Sequence, residues 1–288
     1  MRFLIIGDLH GRIPRIYFKD FDAIIVPGDI GSDKEFGPYV KSWFKYLKNN
    51  PSISLDKYLT KRLGKREMRE MDKRSLEAGR KILKKLDKFN KPIFMTPGNW
   101  DQSMGKTKIK KPDKNDYTYR KSFMDGWQGE KINSKLTKGI KNLKDCQYKL
   151  HKFNGFNIIG YGLSSAPEKL SQRDRKLRFS SSQLKKLNRA YRKILEKLQK
   201  EYAKRDKKNP TIFIPHNVPY NTKLDISLNK KSYAYKKHLG STVARWFCEK
   251  YQPILCVAGH IHEHFGLEHM CCFSYFVFSE MFMDMSSY

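Results

Sequence analysis

Negative charge is scarce in this sequence. Its 29 Asp and Glu face 59 Lys and Arg, a formal net charge of +30 over 288 residues. A surface so unbalanced attracts polyanions, nucleic acid foremost, unless the basic residues simply coat solvated helix faces. Paired cysteines are also missing. Five cysteines, an odd number without regular spacing, exclude a disulfide framework, and no C-x-x-C pair offers a zinc site. Cys271 and Cys272 lie in an apolar run and read as buried free thiols. No apolar stretch reaches the length of a membrane span; MCCFSYFVFSEMFMDM is too short and contains Glu280 and Asp284. The sequence opens on a strand pattern with neither basic leader nor cleavage site, which predicts a soluble protein of the reducing cytoplasm. Lys and Arg themselves vanish after Lys250, and the last twenty residues are largely Met, Phe, Cys, Ser and Tyr. That tail predicts a final pair of buried strands.

What is present is a series of short apolar runs, at residues 3–6, 23–26, 92–95, 156–159, 211–214 and 254–257. Each has strand length and is rich in β-branched or aromatic residues. Their apolarity is continuous rather than alternating, which predicts strands covered on both faces. Each run is followed by glycine or proline and then polar residues: GDLHGR, PGDIGS, TPGNWD, GYGLSS, PHNVPY and AGHIHE. In layered α/β folds, sites assemble on the loops leaving strand ends.

Helices fill the intervals. Leu184, Leu187, Tyr191, Ile194, Leu198 and Tyr202 recur at three and four residues, one apolar stripe on a very basic helix. Met71, Leu76, Leu83, Leu86 and Phe89 read similarly. The positive charge gathers in three blocks: 17 basic against 6 acidic residues over 41–91, 13 against 5 over 102–150, and 16 against 4 over 169–208. Residues 102–150 show weak periodicity and many Lys, Asn and Gly, the pattern of a long, partly irregular insertion. No internal repeat and no domain boundary is visible.

The strand ends carry Asp8, His10, Asp29, Asn99, Asp101, His216, His260 and His262. Carboxylate, amide and imidazole together form a donor set of intermediate hardness, suited to Mn, Fe, Zn or Ni. All of these except Asp101 could serve two ions, one carboxylate bridging. Ions ~3.5–4 Å apart clamp the attacking and leaving oxygens of a phosphoryl transfer. A lone D-x-H or H-x-H is more often incidental than functional. Five such motifs in order, each closing an apolar run, are not.

The series GDLHG, PGDIG, PGNWD, PHNVP and GHIHE resembles the calcineurin-like metallophosphoesterase superfamily, whose pattern is D-x-H, G-D, G-N-H-D/E, H and G-H-x-H. The match runs from residue 8 to residue 262, and HNVPYNTKLD with YQPILCVAGHIHE is similar to its prokaryotic, archaeal-type branch. The resemblance implies one domain over 1–288, an α/β four-layer αββα sandwich of two mixed β-sheets flanked by helices. The basic stretches around 41–91, 102–150 and 169–208 would be insertions. It implies two divalent metal ions, manganese first, with iron, zinc or nickel as alternatives. Asp8, His10 and His262 would bind one and Asn99, His216 and His260 the other, with Asp29 bridging. The implied activity is hydrolysis of phosphate esters; the basic insertions and the missing histidine described next favour phosphodiesters or nucleotides over phosphoproteins. The implied surroundings are the cytoplasm, no membrane, and nucleic acid on the basic surface.

One motif departs from the pattern. The family's usual histidine between Asn and Asp is here Trp100. An indole donates a hydrogen bond but does not titrate, so it cannot act as a general acid, a service that contributes ~10²–10⁴-fold. Trp100 could contact a phosphate oxygen, stack on a base or wall the pocket. His264, at the next alternate position after His260 and His262, is a candidate for the missing acid, and Asp101 completes the catalytic candidates. Lys223, Asp225 and Arg12 are further residues near the motifs; His151, His238 and His269 read as structural. Two other readings compete: a metal-binding scaffold of weak turnover, suggested by Trp100, and a nucleic-acid-binding protein on the same fold, suggested by the basic blocks.

Overall fold

The computed structural model describes every residue except 48–49, 51–52, 54, 102–133, 163–167, 170–179, 231–234, 263, 265, 271–272, 278–279 and 285–288. Cys271, Cys272 and most of the 102–150 block therefore lie outside the described residues. Eleven strands are described: β1 (Arg2–Ile6), β2 (Ala23–Val26), β3 (Ile93–Met95), β4 (Leu143–Asp145), β5 (His151–Phe153), β6 (Phe156–Tyr161), β7 (Thr211–Pro215), β8 (Leu255–Ala258), β9 (Gly266–Met270), β10 (Phe273–Val277) and β11 (Glu280–Asp284). The helices are α1 (Gly37–Leu47), α2 (Leu55–Asp87, interrupted at Gly64), α3 (Ser134–Thr137), α4 (Ser181–Tyr202) and α5 (Thr242–Tyr251).

All six apolar runs are strands, and they form the middles of two mixed sheets. One sheet has the order β11-β1-β2-β3-β4, the other β5-β6-β7-β8-β10-β9. Pairing is parallel except where β11 meets β1, β5 meets β6 and β9 meets β10. Alternation along each strand then divides the apolar side chains among three layers. Leu4, Ile6, Ile24, Val26, Ile93 and Met95 face Leu76, Ile82, Leu83 and Leu86 of α2. Phe3, Ile5, Ile25 and Phe94 face the other sheet, meeting Ile158, Ile212, Ile214, Leu255 and Val257. The opposite faces of those strands, with Ile159, Phe213 and Cys256, pack on Ile194 and Leu198 of α4 and Phe247 of α5. Helix, sheet, sheet, helix is the expected four-layer order, and burial on both faces explains why the runs are continuously apolar.

Two expectations change. The irregular segment expected over 102–150 reaches into the fold at its far end, because β4 extends the first sheet beside β3. Leu136 and Ile140 are also buried against that sheet's helix layer. The three-residue β4 and β5 each mix apolar and charged residues and are only half-buried, so they leave no apolar signature. The tail contains the expected strand pair, β9 with β10, but adds a third strand that leaves it. β10 joins the second sheet beside β8, whereas β11 crosses over and joins the first sheet beside β1. No helix among the described residues is long and apolar enough to cross a membrane.

Candidate metal centre

Parallel strands put the loops after β1, β2, β3, β7 and β8 at one end of the two sheets, and those loops carry the candidate ligands. Two groups of three side chains form there, each with its donor atoms within 4.8 Å of one another: Asp8, His10 and His262, and Asp29, His216 and His260. They share a boundary. Asp29 Oδ2 is 3.3 Å from His216 Nε2 and 3.8 Å from His10 Nε2. His10 Nε2 and His262 Nε2 face each other at 3.0 Å.

The backbone is strained to achieve this. Asp8, His10, Asp29 and His260 all have positive φ, 50°, 46°, 52° and 74°. Non-glycine residues adopt that region at a cost, and such residues cluster at functional sites. Glycines make room for the carboxylates: a Cβ on Gly98 would sit 2.1 Å from Asp29 Oδ1, and one on Gly259 would sit 2.1 Å from Asp8 Oδ2.

Asp101 is the fastening between two of the loops. It is fully buried, and its carboxylate accepts hydrogen bonds from the backbone N–H groups of Asp29, Ile30, Gly31 and Gly98 at 2.7–2.9 Å. In return Asp29 Oδ1 accepts from the backbone N–H of Trp100 at 2.8 Å, which leaves Oδ2 aimed at the histidines. Both oxygens of Asp101 are thus taken up by backbone N–H groups of the loops that carry Asp29 and Asn99. His216 is oriented by Pro27, whose carbonyl lies 2.9 Å from Nδ1 and directs Nε2 inward.

Several features fit a cation. Asp8 Oδ1 is buried and has no hydrogen-bond partner among the described residues. The Asn99 side-chain oxygen lies 3.0 Å from His216 Nε2, 3.2 Å from Asp29 Oδ2 and 2.9 Å from His260 Nδ1. Beside the Asp29 carboxylate an amide oxygen is unfavourable unless a positive charge sits between them. Turning the amide over would point its two N–H groups toward Asp29 Oδ2 and His260 Nδ1 and let its oxygen accept from Trp100 Nε1 at 3.1 Å. The electrostatics agree. Burial, with the charges of Asp29 and Asp101 adding to it, raises Asp8 to about 7. Burial opposes ionisation of Asp29 too, but the His216 charge and hydrogen bond overcome it and hold Asp29 below the ordinary carboxylate range. Burial would lower His216, yet Asp29 raises it to about 9. The pocket recruits protons where a metal ion would supply positive charge.

Trp100 is a wall. Its ring packs on Phe36 at 5.6 Å and meets the His10 ring edge-on at 6.5 Å, closing a satellite core of Tyr58, Leu59, Met68 and Met71. His264 does not converge on the donors; its Nε2 lies 2.6 Å from the carbonyl of Ile226. Asp225 is buried and organises the loop after His216, accepting from Asn221, Thr222 and Gly240 N–H groups and pairing with His238 Nδ1 at 2.5 Å. His151 ties Nε2 to the Asp145 carbonyl at 2.8 Å, a structural bond. For His269 only its strand is described. Sequence reasoning missed Asp33, whose carboxylate lies 3.4 Å from His10 Nδ1; nothing in its spacing marks it.

A family description, calcineurin-like phosphoesterase, matches residues 1–264. No curated protein matches the chain. One crystal structure superposes with TM-score 0.54 at 14% identity, over 96% of this chain and 89% of the other. Phosphopantetheinyl hydrolase (PptH) from Mycobacterium tuberculosis gives TM-score 0.46 at 11% identity, over 96% and 87%. A protein of Thermus thermophilus, TT1561, gives 0.43 at 11%, over 96% and 88%. The first of these shares the fold; the other two are more distant likenesses.

Proposed function

This chain belongs to the calcineurin-like phosphoesterase family, whose members are metal-dependent phosphoester hydrolases, and on that premise we propose that it hydrolyses phosphodiesters or nucleotides at a centre of two divalent ions. The observation that carries the dinuclear reading is Asp29 Oδ2, which stands between both donor groups. In this reading Asp8, His10 and His262 hold one ion, Asn99, His216 and His260 hold the other, and Asp29 belongs to both. When bound, the ions supply Lewis acidity and a clamp for the phosphate oxygens. Manganese heads the metals this donor set suits, with iron, zinc and nickel behind it.

The rest falls to the chain's own residues. Asp101 and Pro27 hold Asp29 and His216 in register, and Trp100 closes one side of the pocket against water. No side chain in the proton donor's position titrates, because that position is an indole. A leaving group must then depart largely unprotonated by the protein, and that favours esters with acidic leaving groups. The net charge of +30 supports a polyanionic substrate. Buried free thiols at Cys146, Cys248 and Cys256 support a reducing, cytoplasmic setting.

The test is turnover of an aryl phosphodiester, its alkyl counterpart and an aryl monoester by the purified protein with added Mn²⁺. The aryl diester should be cleaved fastest, with a steep dependence of rate on leaving-group pKa. Faster cleavage of the monoester, or a flat dependence, overturns the diester reading; no turnover with metal bound leaves a metal-binding scaffold.

A further inference from the structure

The connection from β1 to β2 is unusual. These strands are parallel neighbours, and a parallel crossover is ordinarily made by a helix. Here residues 7–22 make it with no helix or strand at all. Structureless connections longer than about 12–15 residues in compact folds are uncommon and tend to be functional. This one begins at Asp8 and His10, in the candidate metal centre.

Its inner side is pinned. Pro14 is buried and its carbonyl accepts from Lys85 Nζ at 2.7 Å, Ile16 packs on the core beneath α2, and Phe21 is buried beside Phe89. Its outer side presents Arg12, Ile13, Arg15, Tyr17, Phe18 and Lys19. Ile13 is 56% exposed, Tyr17 77% and Phe18 60%, most of the large exposed apolar side chains among the described residues. Cations alternate with them. The acids that follow in sequence, Asp20 and Asp22, are engaged by Arg2. Exposed rings interleaved with cations on a chain of charge +30 match the needs of one ligand class: bases stack on the rings while phosphates meet the cations.

We infer that residues 12–19 form a docking strip for single-stranded nucleic acid, leading from the surface to the metal centre. A duplex hides its base faces and would use only the cations, and an acidic peptide offers no flat faces to the adjacent rings of Tyr17 and Phe18. Only the further step, cleavage of the docked strand, rests on the phosphodiester reading above.

The probe is a fluorescein-labelled oligothymidylate of about fifteen nucleotides, the upper range of a single-strand site, titrated with metal-free protein in EDTA, with a duplex of equal length and heparin as competitors. Binding should favour the single strand. Tyr17→Ala should weaken it about tenfold or more, Tyr17→Phe should restore it, and heparin binding should be indifferent to both. Arg15→Gln with Lys19→Gln should lower the salt slope by about 0.7 for each phosphate no longer engaged. Because these side chains project outward, unfolding temperature should not move. Equal affinity for heparin and oligonucleotide, or a Tyr17→Ala variant binding like the parent, overturns the strip. So does tighter binding to phosphatidylserine vesicles than to the strand, or concentration-dependent self-association abolished by Tyr17→Ala. Adding Mn²⁺ separates the two claims. A strand bound through the strip but left uncut keeps the strip and counts against the phosphodiester reading, whereas cutting unaffected by Tyr17→Ala does the reverse.

Discussion

The two halves of the candidate metal centre are unequal. Asp29 and His216 are sealed from solvent, at 1% and 0% exposure, with His260 only partly open. In the other half the His10 and Asp8 side chains are also covered, but the His262 side chain is 52% exposed. The inner half is also fixed by more bonds, through the Pro27 carbonyl, the backbone N–H of Trp100 and the Asp101 carboxylate. An ion in the inner half should be held tightly and exchange slowly. One in the outer half should exchange readily and be the one that incoming substrate meets.

The sharpest break of that comparison is Asp29→Ala, which removes the oxygen common to both halves. Metal per chain should fall in both, and activity should drop by more than the about 100-fold that an outer-shell partner costs. Retention of two tightly bound ions would refute the sharing. Next come the paired variants His216→Ala and His262→Ala. The first leaves the buried Asp29 carboxylate uncompensated and should destabilise the metal-free protein by ~3–5 kcal/mol in urea unfolding. The second changes an exposed ring and should cost under about 0.5 kcal/mol, while elemental analysis shows the loss of one ion only. Equal costs would mean that the halves are equivalent.

Metal binding should also release protons. His216, raised to about 9, is protonated at pH 7, and Asp8, raised to about 7, is close to half protonated there. Both groups give up those protons to a metal ion, so affinity should climb with pH until about 9. The metal-free protein moves the opposite way, because a raised folded-state pKa contributes stability at low pH that is lost as pH passes through about 7 and then about 9. Calorimetry in two buffers of different ionisation enthalpy measures the release directly. In stability Asp101→Asn falls between the two histidine variants: it turns an amide NH₂ toward two backbone N–H donors, a cost of ~1–3 kcal/mol. As a positioning residue it should lower kcat and, by removing a charge that helps raise Asp8 and His216, move the pH profile toward lower pH; an unmoved profile would mean that its charge is not felt at the site.

Legibility in the sequence tracked a simple physical distinction. Strands buried on both faces must be apolar throughout, so β1, β2, β3, β6, β7 and β8 announced themselves, and with them the ligand-bearing loops at their ends. Edge elements are under no such demand. β4 and β5 carry Lys144 and Lys152 at mid-strand and could not be seen. The roles of Asp101 and His264 were hidden for another reason: a carboxylate that binds backbone N–H groups and one that binds metal have the same letter. Trp100 depended on Phe36 and the far end of the helical cluster, a contact no local spacing encodes.

The pairing of β11 with β1 has a kinetic consequence. Arg2 lies opposite Asp284 and Ile6 opposite Glu280, so the strand that leads into Asp8 and His10 gains its outer neighbour from the far end of the chain. Closing so large a loop is entropically costly, and such long-range pairing forms slowly. During synthesis the open side of β1 must wait, an unpaired edge able to recruit the wrong strand, until Asp284 has emerged. The order in which the chain is made is thus the reverse of the order in which this edge is secured, and maturation of the metal-binding end should be among the last events of folding.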